Sequence, residues 1–235
     1  MKRLLALLVL TVLAAPLSAQ MFFQENFELS PPDGQTTLGS LNGWQAAWND
    51  PAESQAALAD LNMNWEAPFW KRGLAIQISS SRNTAFRELP EALNGKTVYF
   101  SYLFRFFQEE GGTGQFRVRS DAGHVAAVGF SDNQLYARIQ SEETRWGSVR
   151  HRENYFLAGV LRISEDGQTV QLAANAYTTR ASIPVEVPQS WDGRVEHRGP
   201  TRRWNGVEFM AASQNVAFDD LRIGFTWTDV AGTRR

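Results

Sequence analysis

The chain has 235 residues, with 23 lysines and arginines, 25 acidic residues, no cysteine and a formal net charge of −2. This mild acidity argues against a nucleic-acid partner, and the lack of cysteine excludes a small scaffold held together by disulfides. We therefore expect a domain that is stabilised by burial of a large apolar core.

The first nineteen residues have the pattern of a secretory signal peptide. Lys2 and Arg3 form a basic start, residues 4–15 are apolar, and residues 16–19 supply small side chains for cleavage. The apolar run is shorter than the roughly 20 residues of a membrane-spanning helix. We expect removal of residues 1–19, which lowers the formal net charge to −4, and one secreted or periplasmic domain over residues 20–235 without membrane insertion.

The rest of the chain is predicted to be mostly β-strand. Alternating apolar residues and aromatic or β-branched enrichment predict strands at 97–107, 115–119, 125–130, 134–140, 155–164 and 169–177. The Asp166-Gly167 pair between the last two is a strong hairpin signal. A closing strand is predicted over residues 216–230, with Asp219 and Asp220 placed where a strand leaves a turn.

Two segments do not fit the strand pattern. Residues 51–61 contain good helix formers, with Asp50 as a candidate N-cap and Pro51 in the first turn, although a surface loop fits them as well. Residues 178–206 are rich in proline, arginine and tryptophan. We expect them to form a long loop, either ordered over a binding cleft or mobile.

A series of short motifs follows a fixed order along the chain. These are Phe22–Phe27, Leu41–Trp44, Gly95–Phe104, Asp166–Gly167 and Phe218–Gly224 with Trp227. In this order they resemble bacterial secreted LamG-like domains of the concanavalin A-like lectin and glucanase group. The resemblance implies an all-β jelly-roll β-sandwich of two antiparallel sheets and a lectin-like, carbohydrate-binding role.

Catalytic patterns are sparse, and no catalytic residue is assigned. Glucanases of this group carry acidic residues at alternating positions of one strand, a pattern that is missing here. Adjacent acidic pairs occur instead, and neighbours in a strand point to opposite faces, so such a pair cannot by itself form a catalytic dyad. A polysaccharide lyase would use a tyrosine or histidine base and an arginine. Arg150, His151, Arg152 and Tyr155 offer those types.

Tryptophan next to a basic residue is the pattern that points to a ligand. It occurs at Trp70 with Arg72, Arg145 with Trp146, and Arg203 with Trp204. An indole can stack on a sugar ring, and a nearby arginine can fork onto a carboxylate or sulfate, which suits an anionic glycan. We predict these six residues as ligand-binding. Ordinary surface packing of arginine on tryptophan is the alternative.

The resemblance also implies a structural calcium between the first and last strands. Glu25 and Asp219 are the predicted metal ligands, because Ca²⁺ takes six to eight oxygen ligands and each strand would contribute one carboxylate. Alternatively, Asp219 only accepts backbone hydrogen bonds of a turn.

Three functions are therefore open. The favoured one is an exported carbohydrate-binding module without catalysis, the second a polysaccharide hydrolase or lyase of the same fold, and the third a structural cell-envelope protein. Convergence of two carboxylates, or of tyrosine, histidine and arginine, in a cleft would favour the enzyme. A cleft without such groups but with exposed Trp146 or Trp204 would favour binding, and the absence of both arrangements would favour the structural protein.

Overall fold

The computed structural model describes residues 21–25, 56–60, 74–78, 83–109, 111–212 and 215–231. This part of the chain forms fourteen strands in two antiparallel sheets, with a 3₁₀ turn at Arg180–Ser182 and a short helix, α1 (Trp227–Ala231). Within it, no helix has the length and apolar character needed to cross a membrane. The predicted all-β jelly-roll sandwich is confirmed.

The first sheet has eight strands. They are β1 (Met21–Glu25), β2 (Ala56–Asp60), β3 (Leu74–Ile78), β5 (Thr97–Phe106), β10 (Tyr155–Ile163), β11 (Thr169–Tyr177), β12 (Gly193–Arg198) and β14 (Val216–Gly224). Their order is β12-β11-β10-β5-β14-β3-β2, and β1 also pairs with β14.

The second sheet has six strands. They are β4 (Asn83–Glu88), β6 (Thr113–Ser120), β7 (Val125–Ser131), β8 (Gln134–Ile139), β9 (Glu142–Ser148) and β13 (Trp204–Ala212). Their order is β4-β13-β6-β7-β8-β9, so β13 connects the early strand β4 to the meander β6-β7-β8-β9.

Aromatic rings from both sheets fill the space between them. Tyr102 of β5 lies against Phe209 of β13 with ring centroids 5.7 Å apart, and Phe209 stacks on Phe218 of β14 at 4.4 Å. The Tyr102 hydroxyl donates to the Val128 carbonyl of the opposite sheet at 2.9 Å, so this buried phenol has a partner. Packing of these aromatic rings therefore holds the two sheets together.

A smaller apolar cluster covers part of the outer face of the eight-stranded sheet. Trp227 and Val230 of α1 pack there with Ile183 and with outward-facing residues of the sheet. Ser101 of β5 donates to the Val230 carbonyl at 2.9 Å, and the Trp227 indole donates to the Pro184 carbonyl at 2.9 Å. These bonds hold the C-terminal helix against the sheet.

The six strands predicted between residues 97 and 177, and the hairpin at Asp166-Gly167, are confirmed. The closing strand is shorter than predicted. It ends at Gly224, and α1 follows, because Asp229 accepts the Thr226 N–H at 2.8 Å in the manner of a capping box. Asp219 and Asp220 lie inside β14, at an irregularity of its pairing with β5, and not in a turn before it.

Two other expectations are wrong in part. Residues 56–60 of the predicted helix form β2, where pairing with β3 overrides the helix preference of the alanines. Residues 178–206 are not one long loop, since β12 and the start of β13 lie within them. The edge strand β12 is rich in charged residues, which conceals its alternation.

Candidate functional site

Outward-pointing side chains of the six-stranded sheet line a cleft of ≈ 350 Å³. Alternation puts them there, since their neighbours Phe116, Ala137 and Phe209 point into the core. The lining residues are Thr113, Gln115 and Arg117 of β6, Ser131 of β7, Tyr136 and Arg138 of β8, Glu143 and Arg145 of β9, and Met210 and Ala212 of β13.

The floor of the cleft follows one row of residues across the strands. The register places Met210, Gln115, Gly129, Tyr136 and Arg145 opposite one another in turn. Gly129 has no side chain, so the Tyr136 ring can cross β7 and bring its hydroxyl within 2.5 Å of the Gln115 amide. The two buried polar groups at the centre of the floor are thus in direct contact.

The Gln115 amide connects this phenol to a cation. One orientation satisfies both neighbours: Nε2 donates to the Tyr136 hydroxyl at 2.5 Å, and Oε1 accepts from Arg117 at 2.6 Å (Nη2) and 3.1 Å (Nε). The opposite orientation points Nε2 at Met210 Sδ, 3.6 Å away, but turns the amide N–H groups against those of the guanidinium. In the satisfied orientation the Tyr136 proton points away from Gln115.

Tyr136 keeps that proton at neutral pH. Burial raises the pKa of its phenol to about 12, although the nearby Arg138, Arg117 and Arg145 act in the opposite direction. The side chain is only 1% exposed, and the Arg138 guanidinium lies over its ring, 5.4 Å from the centroid. A ligand can reach the hydroxyl only if the arginines above it move.

Two buried or half-buried carboxylates lie among the arginines of this face. Glu208 of β13 accepts from Arg117 and Arg119, each at 3.0 Å. Glu143 pairs with Arg145 at 2.5 Å and lies 3.9 Å from Arg138. The four arginines outnumber the three glutamates of this face, which are Glu143, Glu208 and the exposed Glu88 of β4, so the face is locally positive on a chain whose formal net charge is −2. Such a surface attracts anions.

Of the predicted ligand residues that the structure describes, Arg145 is the one that lines the cleft. Its neighbour Trp146 points the other way and packs against the core, as alternation within β9 requires. The Trp146 ring lies directly on Gly193 of β12, and its buried indole N–H has no partner among the described residues.

Arg203 and Trp204 are separated in the same way. Arg203 is exposed, whereas Trp204 is 2% exposed and its indole donates to the Gly167 carbonyl at 3.3 Å. A fully buried ring offers no face to a sugar, so Trp204 has a structural role. Trp70 and Arg72 lie outside the described residues.

The predicted lyase group of residues 150–155 does not reach the cleft. Tyr155 is a core residue that stacks on Phe104 at 5.3 Å. Its hydroxyl accepts from the Arg150 N–H at 2.8 Å and donates to Glu153 at 2.7 Å, and burial, with the Glu153 bond second, raises its pKa to about 12. The hydroxyl therefore uses its donor and its acceptor in hydrogen bonds to neighbouring residues.

The predicted metal ligands lie on neighbouring strands, because β1 pairs with β14 and Glu25 is opposite Leu221. The half-buried Asp219 accepts the Asp220 N–H at 2.7 Å, and Asp220 is ion-paired with Arg222 at 2.8 Å. No group of three histidine or acidic side chains suited to a metal occurs among the described residues. The described contacts of these aspartates are a local hydrogen bond of Asp219 and an ion pair of Asp220.

The chain matches no family model and no curated protein sequence. Its structure is similar to the endo-β-1,4-glucuronan lyase of the fungus Trichoderma reesei, with a TM-score of 0.58, 11% identity, and 92% of this chain and all of that chain covered. A looser similarity links it to the VIP36 lumenal domain bound to Ca²⁺ and Man3GlcNAc, with a TM-score of 0.42, 10% identity and coverages of 73% and 82%.

The xylan-binding domain of a Paenibacillus barcinonensis protein is a third structural neighbour, with a TM-score of 0.38, 8% identity and coverages of 88% and 96%. At 11% identity, the similarity to the glucuronan lyase establishes the fold alone, a jelly-roll β-sandwich.

Most residues of the cleft were not singled out from the sequence. Gln115, Arg117 and Arg119 alternate with core residues along β6, and Tyr136 and Arg138 do so along β8. Polar residues at every second position of two neighbouring strands are a readable signal for a shared polar face. The sequence alone did not reveal which of those side chains would meet.

Proposed function

We propose that the protein binds an anionic polysaccharide in the cleft of the six-stranded sheet. The observation that carries this proposal is the surplus of arginine on that face: Arg138 and Arg145 are 38% and 40% exposed at its edge. Planar guanidinium groups suit carboxylates and sulfates, which they can contact through two parallel hydrogen bonds. The glucuronan lyase with this fold acts on a polyuronate, the glycan class that these arginines favour.

The dimensions of the cleft suit a polymer. Its lining residues come from five adjacent strands, β13 to β9, which at about 4.8 Å per strand spacing span about 19 Å. The volume of ≈ 350 Å³ is in the range of ligand sites. We expect the glycan to lie across the strands, along the row from Met210 to Arg145.

Eliminative cleavage is the second candidate, and Tyr136 is the observation that favours it. In elimination the proton at C5 of a uronate is removed, the C4–O bond breaks, and the leaving oxygen takes up a proton. Tyr136 is protonated at neutral pH and could supply that last proton, while the arginines neutralise the carboxylate.

A base that could remove the C5 proton is harder to identify. The described lining of the cleft contains no histidine, and its carboxylate, Glu143, is ion-paired to Arg145. Because the described cleft lining lacks a free base and Tyr136 is hardly exposed, we favour binding over elimination as the function.

Hydrolysis by two carboxylates has weaker geometric support. Glu208 and Glu143 lie four strand spacings apart in one row, about 19 Å between backbones, and the third glutamate of this face, Glu88, lies outside the cleft lining. Glycosidases need carboxyl groups about 5–9.5 Å apart. Each of these glutamates is also ion-paired with a neighbouring arginine.

We further propose that residues 1–19 direct export, that residues 20–235 act as one secreted or periplasmic domain, and that the domain is of the bacterial LamG-like type. The calcium between Glu25 and Asp219 is also a proposal, supported by the pairing of their strands. Arg222 already supplies a positive charge there. A ligand bound only by the folded state raises the melting temperature, so an unchanged value after EDTA treatment would overturn it.

The proposed binding can be tested on a glycan array of neutral, uronate-containing and sulfated polysaccharides, with reducing-end and unsaturated-product assays on the same glycans. We expect signal on anionic glycans, and a weaker signal in the double variant Arg138→Gln/Arg145→Gln. Trp146→Ala serves as the comparison, because its ring is on the opposite face of β9. Unsaturated products that disappear in Tyr136→Phe would establish elimination. Signal that is unchanged in the arginine variant would refute the proposal.

A further inference from the structure

The outer face of the eight-stranded sheet has a small depression of its own. It has a volume of ≈ 50 Å³ and lies on β10, β11 and β12, on the side of the sandwich opposite the cleft. It is lined by Val160, Arg162, Gln171, Leu172, Ala173, Trp191 and Arg194. An aromatic ring and two arginines thus surround a floor of small apolar side chains.

The ring at its edge is held in place. Trp191 is half-buried and meets Trp227 of α1 edge to face, with centroids 5.9 Å apart and planes at 79°. Trp227 is itself fixed by its hydrogen bond to the Pro184 carbonyl. Because the Trp191 ring is supported from behind, a ligand that stacks on it need not order a free side chain.

The two arginines are available to a ligand. Arg162 and Arg194 are exposed, and neither forms an ion pair with any residue that the structure describes. The nearby carboxylate of Glu196 accepts from the Gln171 amide at 2.8 Å, while the exposed Asp192 adjoins Trp191 in sequence. The depression has room for an ionised substituent, but not for a whole sugar ring.

We propose that this depression is a second glycan-binding site, which takes the carboxylate or sulfate group of a sugar whose ring stacks on Trp191. The site goes beyond the proposed function, since it shares no residue with the cleft. If both sites bind one long polysaccharide, the second contact is intramolecular and raises the overall affinity.

The test is calorimetric titration with two probes too short to span both sites: a β-1,4-linked glucuronic acid tetrasaccharide and a sulfated neutral tetrasaccharide. The variant is Arg162→Gln/Arg194→Gln, whose exposed side chains can change without loss of fold, as an unchanged melting temperature would verify. The control is Arg198→Gln, on the same face of β12 but outside the depression. The cleft variant Arg138→Gln/Arg145→Gln is titrated in parallel.

We expect wild type and Arg198→Gln to bind two equivalents of at least one probe, and Arg162→Gln/Arg194→Gln to bind one, with affinity at the outer site reduced about tenfold or more. The better probe identifies the anionic group. Two equivalents retained by Arg162→Gln/Arg194→Gln, or one equivalent in wild type that only the cleft variant loses, would overturn the second site. If the cleft variant keeps two equivalents while the outer variant loses one, the second site stands and the proposed function fails.

Discussion

Replacement of Gly129 by alanine should disrupt the floor of the cleft. A Cβ at this position would lie 2.6 Å from Gln115 Cα, 2.9 Å from Gln115 Cβ, and closer still to the Gly114 carbonyl oxygen. Because two of these atoms belong to the backbone, the pairing of β6 with β7 must shift. A glycine in a strand would ordinarily gain stability from this change, so the prediction has an unusual sign.

The size of the effect follows from two contributions. Overpacking costs about 1–3 kcal/mol, and a shifted β6 separates Gln115 from the Tyr136 hydroxyl, which leaves a buried polar group unpaired at about 1–3 kcal/mol. At about 2–4 °C per kcal/mol for a domain of this size, the total of about 2–6 kcal/mol lowers the melting temperature by about 4–24 °C.

The assay is thermal unfolding followed by circular dichroism. The matched control is Gly123→Ala, where an added Cβ meets nothing within 4 Å and only the backbone angle, φ +77°, opposes the change. That strain costs about 1–2 kcal/mol. A melting temperature of Gly129→Ala equal to or above that of Gly123→Ala would refute the reasoning on the cleft floor.

Two further predictions concern charge and proton binding. Glu208→Gln should lower the free energy of unfolding in urea by about 2–4 kcal/mol, because a 3% exposed carboxylate loses its charge between two arginines. Glu143→Gln, at a 26% exposed position, should lower that free energy by less. Equal losses in the two variants would contradict the burial of the Glu208 ion pairs. The pKa of Tyr136 is raised from its ordinary value of 10 to about 12 in the folded protein. The stabilisation that this shift gives the folded state is therefore full below pH 10 and is lost between pH 10 and 12. Tyr136→Phe should therefore lose about 2–3 kcal/mol less than wild type over that interval, and parallel stability curves would show that the phenol is not buried as described.

The central strands could be predicted from the sequence because each carries its own local signal. The run from Thr97 to Phe106 combines aromatic and β-branched residues, and Asp166-Gly167 marks a tight turn. The edge strand β9 had no such signal, since most of its side chains are exposed on both faces. The helix α1 depends on the bond between Asp229 and Thr226, in a segment that reads as continuing alternation.

The candidate site was harder to predict, because register decides it. Arg145 and Trp146 are neighbours in sequence, yet β9 turns them to opposite faces of the sheet. Conversely, Gln115 and Tyr136 are 21 positions apart and meet only because Gly129 lies between them in the row. Pairing of three strands produces that contact, and no local pattern in any one strand specifies it.

The central claim is that the arginines of the cleft recognise the negative charge of a polysaccharide. It is tested most directly by the affinity of the wild-type protein for one polyuronate oligosaccharide and for the same oligosaccharide with its carboxyl groups reduced to alcohols. We predict that the reduced form binds at least about tenfold more weakly, because each lost charge-assisted hydrogen bond is worth about 1.5–3 kcal/mol. Equal affinity for the two forms would contradict the claim.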